Sequence, residues 1–164
     1  LYFEDKIWVS GNVNQKVMLA AANLSLVNQT NVVLNGDLRY VSGSNAGIVV
    51  IAEDDIDIGV TVPNNMDIQG IFIAQNGRFG RNHYSTSYFS AALDPYVIRN
   101  SLDTLGTVVS NQRAATTWVN ASGNVISGFS GGVDSYDQDQ VEDPPPFTPE
   151  TSDVYSFRDW RQDG

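Results

Sequence analysis

The chain has 164 residues, the usual length of one domain and enough to bury a hydrophobic core. Its net charge of −10 repels nucleic-acid phosphates and anionic membrane surfaces, so neither is predicted as a partner. Cysteine is absent, which excludes disulfides and thiol catalysis, and no apolar run reaches the roughly 20 residues that a membrane-spanning helix needs.

Alternation of apolar and polar residues dominates the chain from its N-terminus. Ile7 and Val9 flank Trp8, and the same period of two recurs in the segments 32–40, 56–62 and 66–68. A period of two over about four to eight residues predicts β-strands. Turn-forming residues separate these segments, which completes the pattern of an all-β protein. They are Gly11-Asn12, Asn35-Gly36-Asp37, Pro63-Asn64-Asn65 and Asn76-Gly77.

A short motif recurs along the chain: an apolar run that ends in Ala or Ser and is followed by a polar turn. The runs are residues 17–20, 49–52, 71–74 and 107–110. Self-similarity at intervals of roughly 20–50 residues is typical of stacked repeats, so we predict a parallel β-solenoid (β-helix) of about four or five short coils. Residues at equivalent places in the motifs should then stack in one apolar column. They are Leu19, Ile51, Ile73 and Val109.

An antiparallel β-sandwich is the alternative fold, because it fits the local period and the turn signals equally well. The small residues that close the repeats favour the solenoid, since they can stack between larger residues in a narrow coil. We predict a solenoid domain over residues 1–143, with loops of different length inserted between its strands.

The segment 78–99 breaks the strand pattern and is predicted to be an inserted loop, rich in Ser and aromatic residues. Exposed aromatic rings bind sugars and protein partners, which makes the rings of this loop the predicted ligand-binding residues. Buried rings would instead anchor the loop. The residues are Phe79, Tyr84, Tyr88, Phe89 and Tyr96.

A proline-rich aromatic tail, residues 144–164, follows the domain. Its three successive prolines predict an extended polyproline segment. We expect the tail to fold back on the domain and cap it, with Phe147, Phe157 and Trp160 buried, because a free tail with these rings would favour association.

The residues that could carry chemistry favour a protein that is not an enzyme. His83 is the single histidine, and no Gly-x-Ser-x-Gly motif accompanies it. Asp55 and Asp57 flank Ile56 and are expected on one outward side of a strand, where they could serve sugar chemistry or calcium binding. We prefer the interpretation that these acids keep a sheet edge from aggregating.

A second acidic segment supplies the candidate metal ligands Asp134, Asp137 and Asp139. Calcium accepts oxygen ligands in irregular loops, but the spacing does not match an EF-hand. We therefore predict no cofactor, with a structural calcium ion as the alternative.

Several short motifs together resemble the C-terminal region of uncharacterised minor-pilin-like proteins of bacteria. They are the segment 6–11, the repeats ending in Ala, the segment 144–149 and the segment 156–161. In that family a hydrophobic pilin-type helix precedes a β-rich exported domain. This helix is missing from the 164 residues, and the chain has no starting Met or signal peptide, so we expect it to be part of a longer or processed protein.

The resemblance implies an extracellular or cell-surface domain with a structural or adhesive role in a pilus-like assembly. Its partners would be other subunits of that assembly and a glycan or protein receptor, without membrane contact by this part of the chain. Two alternatives stay open: a carbohydrate-active β-helix enzyme that uses the acids near Asp55, and a calcium-stabilised glycan-binding module.

Overall fold

The computed structural model describes residues 1–23, 30–85, 87 and 91–148. These residues form one mixed, mostly parallel sheet of 12 strands, which confirms the predicted all-β class. The strands are β1 (Tyr2–Phe3), β2 (Ile7–Val13), β3 (Lys16–Ala21), β4 (Val32–Tyr40), β5 (Gly47–Ala52), β6 (Ile56–Ile58), β7 (Asn65–Ala74), β8 (Phe79–Arg81), β9 (Ile98–Ser110), β10 (Thr117–Val119), β11 (Val125–Gly131) and β12 (Asp134–Ser135). The helical segments are a 3₁₀ turn (Ala91–Leu93), α1 (Asp94–Val97) and α2 (Asp139–Glu142).

The first ladder of the sheet joins β1, β3, β5, β7 and β9, each parallel to the next. It places the closing residues of three repeats in register, because Ala52 pairs with Ala74 and Ala74 with Ser110. In β3 the aligned residue is Ala21, one position after the Ala20 that closes the sequence motif. Three successive alanines follow Leu19 here, so the pattern alone could not show which of them closes the strand.

The predicted apolar column is wrong in its first member. Ile51, Ile73 and Val109 share one register, but their partner in β3 is Ala20, and Leu19 belongs to the neighbouring row. The row of Ile51 also faces outward, since Ile51 and Ile73 are half-buried and Val109 is 49% exposed.

The buried column of the first ladder consists of Leu19, Val50 and Phe72. Phe72 is fully buried, whereas its neighbour Ile73 lies on the opposite face of the strand, as the two-residue period of a β-strand requires. The residue of this repeat that is buried in the core is therefore Phe72, one position before the Ile73 that the sequence motif indicates.

We expect Phe72→Ala to lower the free energy of unfolding by about 3–5 kcal/mol, because it leaves a cavity in the core. The matched variant Ile73→Ala should cost less than about 2 kcal/mol, since its side chain is only half-buried. Urea-induced unfolding followed by circular dichroism measures both values. Equal losses in the two variants would contradict the assignment of the inward face.

A second ladder joins β2, β4, β6 and β8, again all parallel. Beyond β8 it continues as a single bridge between Gly80 and Ala115. A third ladder runs through the later part of β4, then β7, β9 and β12: Leu38 pairs with Ile68, Ile68 with Thr104, and Thr104 with Asp134. β10 and β11 form an antiparallel hairpin beside β9.

One hydrophobic core touches all the ladders. The first ladder contributes Val50 and Phe72, the second Leu34 and Ile58, and the third Ile68, all of which are fully buried. The alternating side chains of each strand thus point to one shared interior, which fixes the outward residues of every strand as the surface available for function.

Two glycines make the bends at which β7 and β9 pass from the third ladder to the first. Gly70 and Gly106 pair with each other and have φ values of +146° and +139°. A Cβ atom added to Gly106 would lie 1.9 Å from the carbonyl oxygen of Gly70. Only glycine allows this backbone conformation and this close approach.

The segment predicted as an inserted loop, 78–99, begins and ends within the sheet. Its first residues belong to β8 and its last two to β9, with α1 between them. The sequence pattern missed these strands because β8 is only three residues long and contains an arginine that faces inward.

The chain returns along the body after β12, in a segment of residues 137–148 that we name the C-terminal strap. Asp143 forms an ion pair with Lys16 and accepts a hydrogen bond from Asn45 Nδ2 at 3.1 Å. Gln140 Nε2 donates to the carbonyl of Ala46 at 3.4 Å. The strap thus binds residues far earlier in the chain, at separations of 98 residues for Asn45 and Asp143 and 94 for Ala46 and Gln140.

Of the three tail rings that were predicted to be buried, the structure describes one, Phe147. Phe147 is 89% exposed, so the expectation that it is buried was wrong, although Pro145 beside it is buried. Exposed Phe147 instead forms one wall of a groove with Val17 and Met18. Phe157 and Trp160 lie outside the described residues.

Candidate functional site

The acidic corner between β5 and β6 is the first candidate site. Glu53 Oε2 accepts a hydrogen bond from the backbone N–H of Asn23 at 2.9 Å, and Asp55 Oδ1 accepts one from that of Arg78 at 2.7 Å. Each carboxylate therefore connects the turn between β5 and β6 to the adjacent turn of a neighbouring strand. These acids satisfy backbone donors that a turn between strands leaves without partners.

A second set of aspartates does the same at the start of the third ladder. Asp37 Oδ1 accepts from the backbone N–H of Asp67 at 3.0 Å, and Asp103 Oδ1 from that of Val133 at 3.1 Å. Arg39 forms ion pairs of 3.0 Å with both Asp37 and Asp67. Sequence reasoning missed this row; the available signal was an Asp placed just before the inward residue of each strand.

Asp57 is an acid whose surroundings raise its pKa. It lies on β6 between the buried residues Ile56 and Ile58 and therefore faces outward, as predicted. Partial burial and then the charge of Asp55 raise its pKa, while Arg78 opposes the shift. The folded chain thus holds the Asp57 proton more tightly than the unfolded chain does.

Replacing Asp57 with Asn should stabilise the protein at pH 7. Because the folded pKa is raised, ionised Asp57 costs stability at neutral pH, and the cost disappears as pH falls below about 4. We expect a higher melting temperature for Asp57→Asn at pH 7 and a difference that shrinks in acid, measured by calorimetry. A variant that is less stable by the same amount at both pH values would contradict this.

The matched control for that experiment is Asp143→Asn, which should change stability in the opposite direction. Hydrogen bonds from Lys16 and Asn45 lower the pKa of Asp143. Its ionised form therefore stabilises the folded chain above the usual carboxyl range, and the contribution is lost as pH falls. Asp143→Asn should lower the melting temperature at pH 7 and have little effect in acid.

A buried arginine is the second candidate site. Arg81 is fully buried and occupies the inward row in which β4 and β6 carry Leu34 and Ile58. The guanidinium donates to the carbonyl oxygens of Tyr96 at 2.6 Å and Val97 at 3.0 Å. Burial, more than any other cause, lowers the pKa of Arg81.

Aromatic rings complete the surroundings of this arginine. The Arg81 guanidinium carbon lies 4.9 Å from the centre of the Tyr84 ring and 5.6 Å from that of Phe129. Arg99 repeats the arrangement, 4.8 Å from the ring of Tyr96. Cation–π contacts of this kind stabilise a charge that is removed from water.

The predicted ligand-binding rings therefore divide into different groups. Phe79 is buried in the core against Phe72, whereas Tyr84 and Tyr96 cover the buried arginines. Tyr88 and Phe89 lie outside the described residues. The described rings anchor the segment between β8 and β9, which is the alternative that the sequence left open.

The lone histidine also makes a structural contact. The ring of His83 lies 5.7 Å from that of Trp118 in an edge-to-face arrangement. Trp118 in turn donates its indole N–H to the backbone oxygen of Arg81 at 2.9 Å. The histidine thus belongs to the packing around β8 and β10.

The predicted calcium ligands are distributed over β12 and the first residues of the strap. Asp134 lies in β12, Asp137 is buried and Asp139 begins α2. Within the part of the chain that the structure describes, no three His, Cys, Asp or Glu side chains are grouped to hold a metal ion. Asp137 lies instead beside Tyr40, whose pKa is raised by burial and then by the Asp137 charge.

Comparison with known proteins adds no relative. No protein-family model matches the chain, and neither a curated protein nor a solved structure is significantly similar to it. Among the described residues, no helix has the length and apolarity to cross a membrane.

Proposed function

We propose that this chain is a non-catalytic structural or adhesive domain of a bacterial cell-surface or pilus-like assembly, built as a parallel β-solenoid. The observation that carries the proposal is the order in which the chain visits its ladders. It passes from β5 in the first ladder to β6 in the second and the start of β7 in the third. The end of β7 returns to the first ladder, and β8 and β9 repeat the sequence.

The chemistry of the corners supports a structural role. Carboxylates such as Asp55 and Asp103 bind backbone N–H groups of adjacent turns, and Arg81 binds backbone carbonyls. These polar groups are thus engaged in holding adjacent strands and corners together. Such a stack provides length and an extended surface, which suits a subunit of a fibre or coat.

An exposed ring supports the adhesive part of the proposal. Trp8 is 64% exposed on the outward side of β2, in register with Val33 of β4 and, through it, with Asp57 of β6. An aromatic ring and a carboxylate two strands apart on one outward face suit a sugar or a polar protein loop as receptor. Extracellular location would give this face access to such a receptor.

Immunogold labelling of intact cells of the source organism, with an antibody against residues 1–164, tests the proposal. We expect gold on the cell surface or on its appendages, in the same amount before and after permeabilisation. Label that appears only after permeabilisation would overturn it. Incubating the purified domain with polysaccharides should release no reducing sugar, and release that is lost in Asp55→Asn would favour the carbohydrate-active enzyme.

A further inference from the structure

We propose that the C-terminal strap, residues 137–148, is a reversible latch that lifts off the sheet as one preformed unit while the parallel ladders stay paired. This movement within the chain does not depend on the surface role proposed above. Three features of the strap carry the proposal: its backbone hydrogen bonds are internal, few side chains attach it to the sheet, and a glycine of the sheet makes room for one of them.

The backbone hydrogen bonds of the strap stay within the strap. The N–H of Val141 donates to the carbonyl oxygen of Gln138 at 3.0 Å, and the N–H of Thr148 donates to that of Pro145 at 3.3 Å. The three prolines 144–146 have no N–H to offer to a strand. Among the described residues, no backbone hydrogen bond joins the strap to the sheet. The strap can therefore leave without breaking any strand pairing.

The polar attachment of the strap consists of side-chain contacts in the part of the chain that the structure describes. Asp143 binds Lys16 and Asn45, and its own side chain is 66% exposed, so water weakens this ion pair. Gln140 Nε2 donates to the carbonyl oxygen of Ala46 at 3.4 Å, which is longer than the usual range of about 2.7–3.2 Å. Gln140 Oε1 is buried without a hydrogen-bond partner among the described residues. A buried amide that is only partly satisfied makes a weak attachment.

Burial of two side chains favours the closed position of the strap. Pro145 is buried, and Gln140 is only 3% exposed. The successive prolines also restrict the detached segment, which lowers the entropy lost when the strap closes. These contributions are opposed by the weak polar attachment. The strap therefore belongs to the low-stability end of the structure, where local opening requires less free energy than unfolding of the whole chain.

Gly47 of β5 makes room for the strap. A Cβ atom added to Gly47 would lie 2.2 Å from Gln140 Nε2 and 2.9 Å from Gln140 Oε1, and the third nearest atom also belongs to the Gln140 side chain. Gly47 is not among the glycines with positive φ, so alanine can adopt its backbone conformation. An alanine at this position would conflict with the strap and not with the strands, which gives a means of opening the latch selectively.

Opening of the latch uncovers β3. In the closed position Phe147 forms a groove with Val17 and Met18, and Asp143 pairs with Lys16. The Lys16 Nζ atom is buried, and the whole side chain is only 15% exposed. When the strap lifts off, the wall of the groove and the partner of Lys16 leave together. The latch therefore controls how much of β3 is exposed to water.

Acetylation of lysine amines, followed by mass spectrometry of the full chain, measures the opening. The sequence contains two lysines, and exposed Lys6 is an internal standard for Lys16. Each rate is divided by the rate of the same lysine in the urea-unfolded chain, which removes differences in intrinsic reactivity. In the wild type at neutral pH, Lys16 should react at least about tenfold more slowly than Lys6, because it reacts only while the strap is open.

Variants at the strap contact should change this rate without changing the circular dichroism spectrum. Gly47→Ala should raise the Lys16 rate at least about tenfold. Gly131→Ala is the matched control and should react like the wild type, since the atom nearest to its added Cβ is the oxygen of Asn100 at 4.0 Å. Gln140→Ala should also raise the rate, and adding Gly47→Ala to it should change little further, because the conflict at Gly47 is with the Gln140 amide.

Phe72→Ala separates opening of the strap from unfolding of the whole chain. This variant destabilises the core but should leave the Lys16 rate unchanged, because opening of the strap breaks no core contact. A Lys16 rate that rises in Phe72→Ala indicates reaction through global unfolding and contradicts the proposal. Equal rates for Lys6 and Lys16 in the wild type contradict it as well, as do Gly47→Ala and Gln140→Ala variants that react like the wild type.

Discussion

Gly106→Ala is expected to lower the free energy of unfolding by roughly 3 kcal/mol or more. The new Cβ would lie 1.9 Å from the Gly70 oxygen, so β7 and β9 could not keep their present spacing. Its φ of +139° adds backbone strain that a side chain rarely tolerates. Urea unfolding monitored by tryptophan fluorescence measures the loss.

Gly11→Ala is the matched control for the contribution of the close approach. Gly11 has a similar φ of +118°, but nothing lies within 4 Å of the position where a Cβ would stand. Its replacement should therefore cost only the conformational strain, about 1 kcal/mol. If both variants lose the same stability, backbone strain alone explains the glycines and the contact with Gly70 is unimportant.

Arg81→Met is expected to destabilise the protein by roughly 3 kcal/mol, although methionine suits an inward position. The loss arises because the carbonyl oxygens of Tyr96 and Val97 keep their places without the donors that now satisfy them. Hydrogen exchange should then show faster exchange in residues 94–98, the segment that the guanidinium holds. Calorimetry gives the change in stability.

Arg39→Met provides the comparison for a charge on the surface. Its side chain is 46% exposed and bridges Asp37 and Asp67. Exposed ion pairs contribute about 0–1 kcal/mol, so this variant should stay close to the wild type in stability and in exchange. An Arg81→Met variant that behaves in the same way would show that water replaces the lost donors at little cost.

Much of the strand pattern could be predicted from local signals alone. The two-residue period identifies strands because inward residues such as Leu34 and Ile58 alternate with residues that face water. Register is harder, since it depends on which residue faces the core. In the β3 motif Ala20 and Ala21 are the same residue type, and only the position of Leu19 in the folded core separates them.

The role of the candidate residues could not be predicted in the same way. The sequence predicted Tyr84 and Tyr96 as part of an exposed aromatic cluster, whereas their rings pack on the buried arginines Arg81 and Arg99. An arginine that faces inward breaks the alternation of apolar and polar residues by which a strand is recognised. The acids near Asp55 were expected to keep a sheet edge from aggregating, and their hydrogen bonds to backbone N–H groups were not predicted. Their partners, such as the N–H of Arg78 for Asp55, are 23 residues away and become visible only when the strands pair.

The C-terminal strap affects the order in which contacts can form while the protein is being synthesised. Strands that pair in the parallel ladders are separated by modest distances along the chain, so early strand pairs can form while the ribosome is still adding later ones. The strap contacts are different: Asn45 and Asp143 are 98 residues apart, and Ala46 and Gln140 are 94 apart. The early strand pairs therefore lack these contacts until residues 137–148 have been synthesised. A stalled nascent chain that ends before residue 137 should remain sensitive to protease near Lys16, long after its strands have paired.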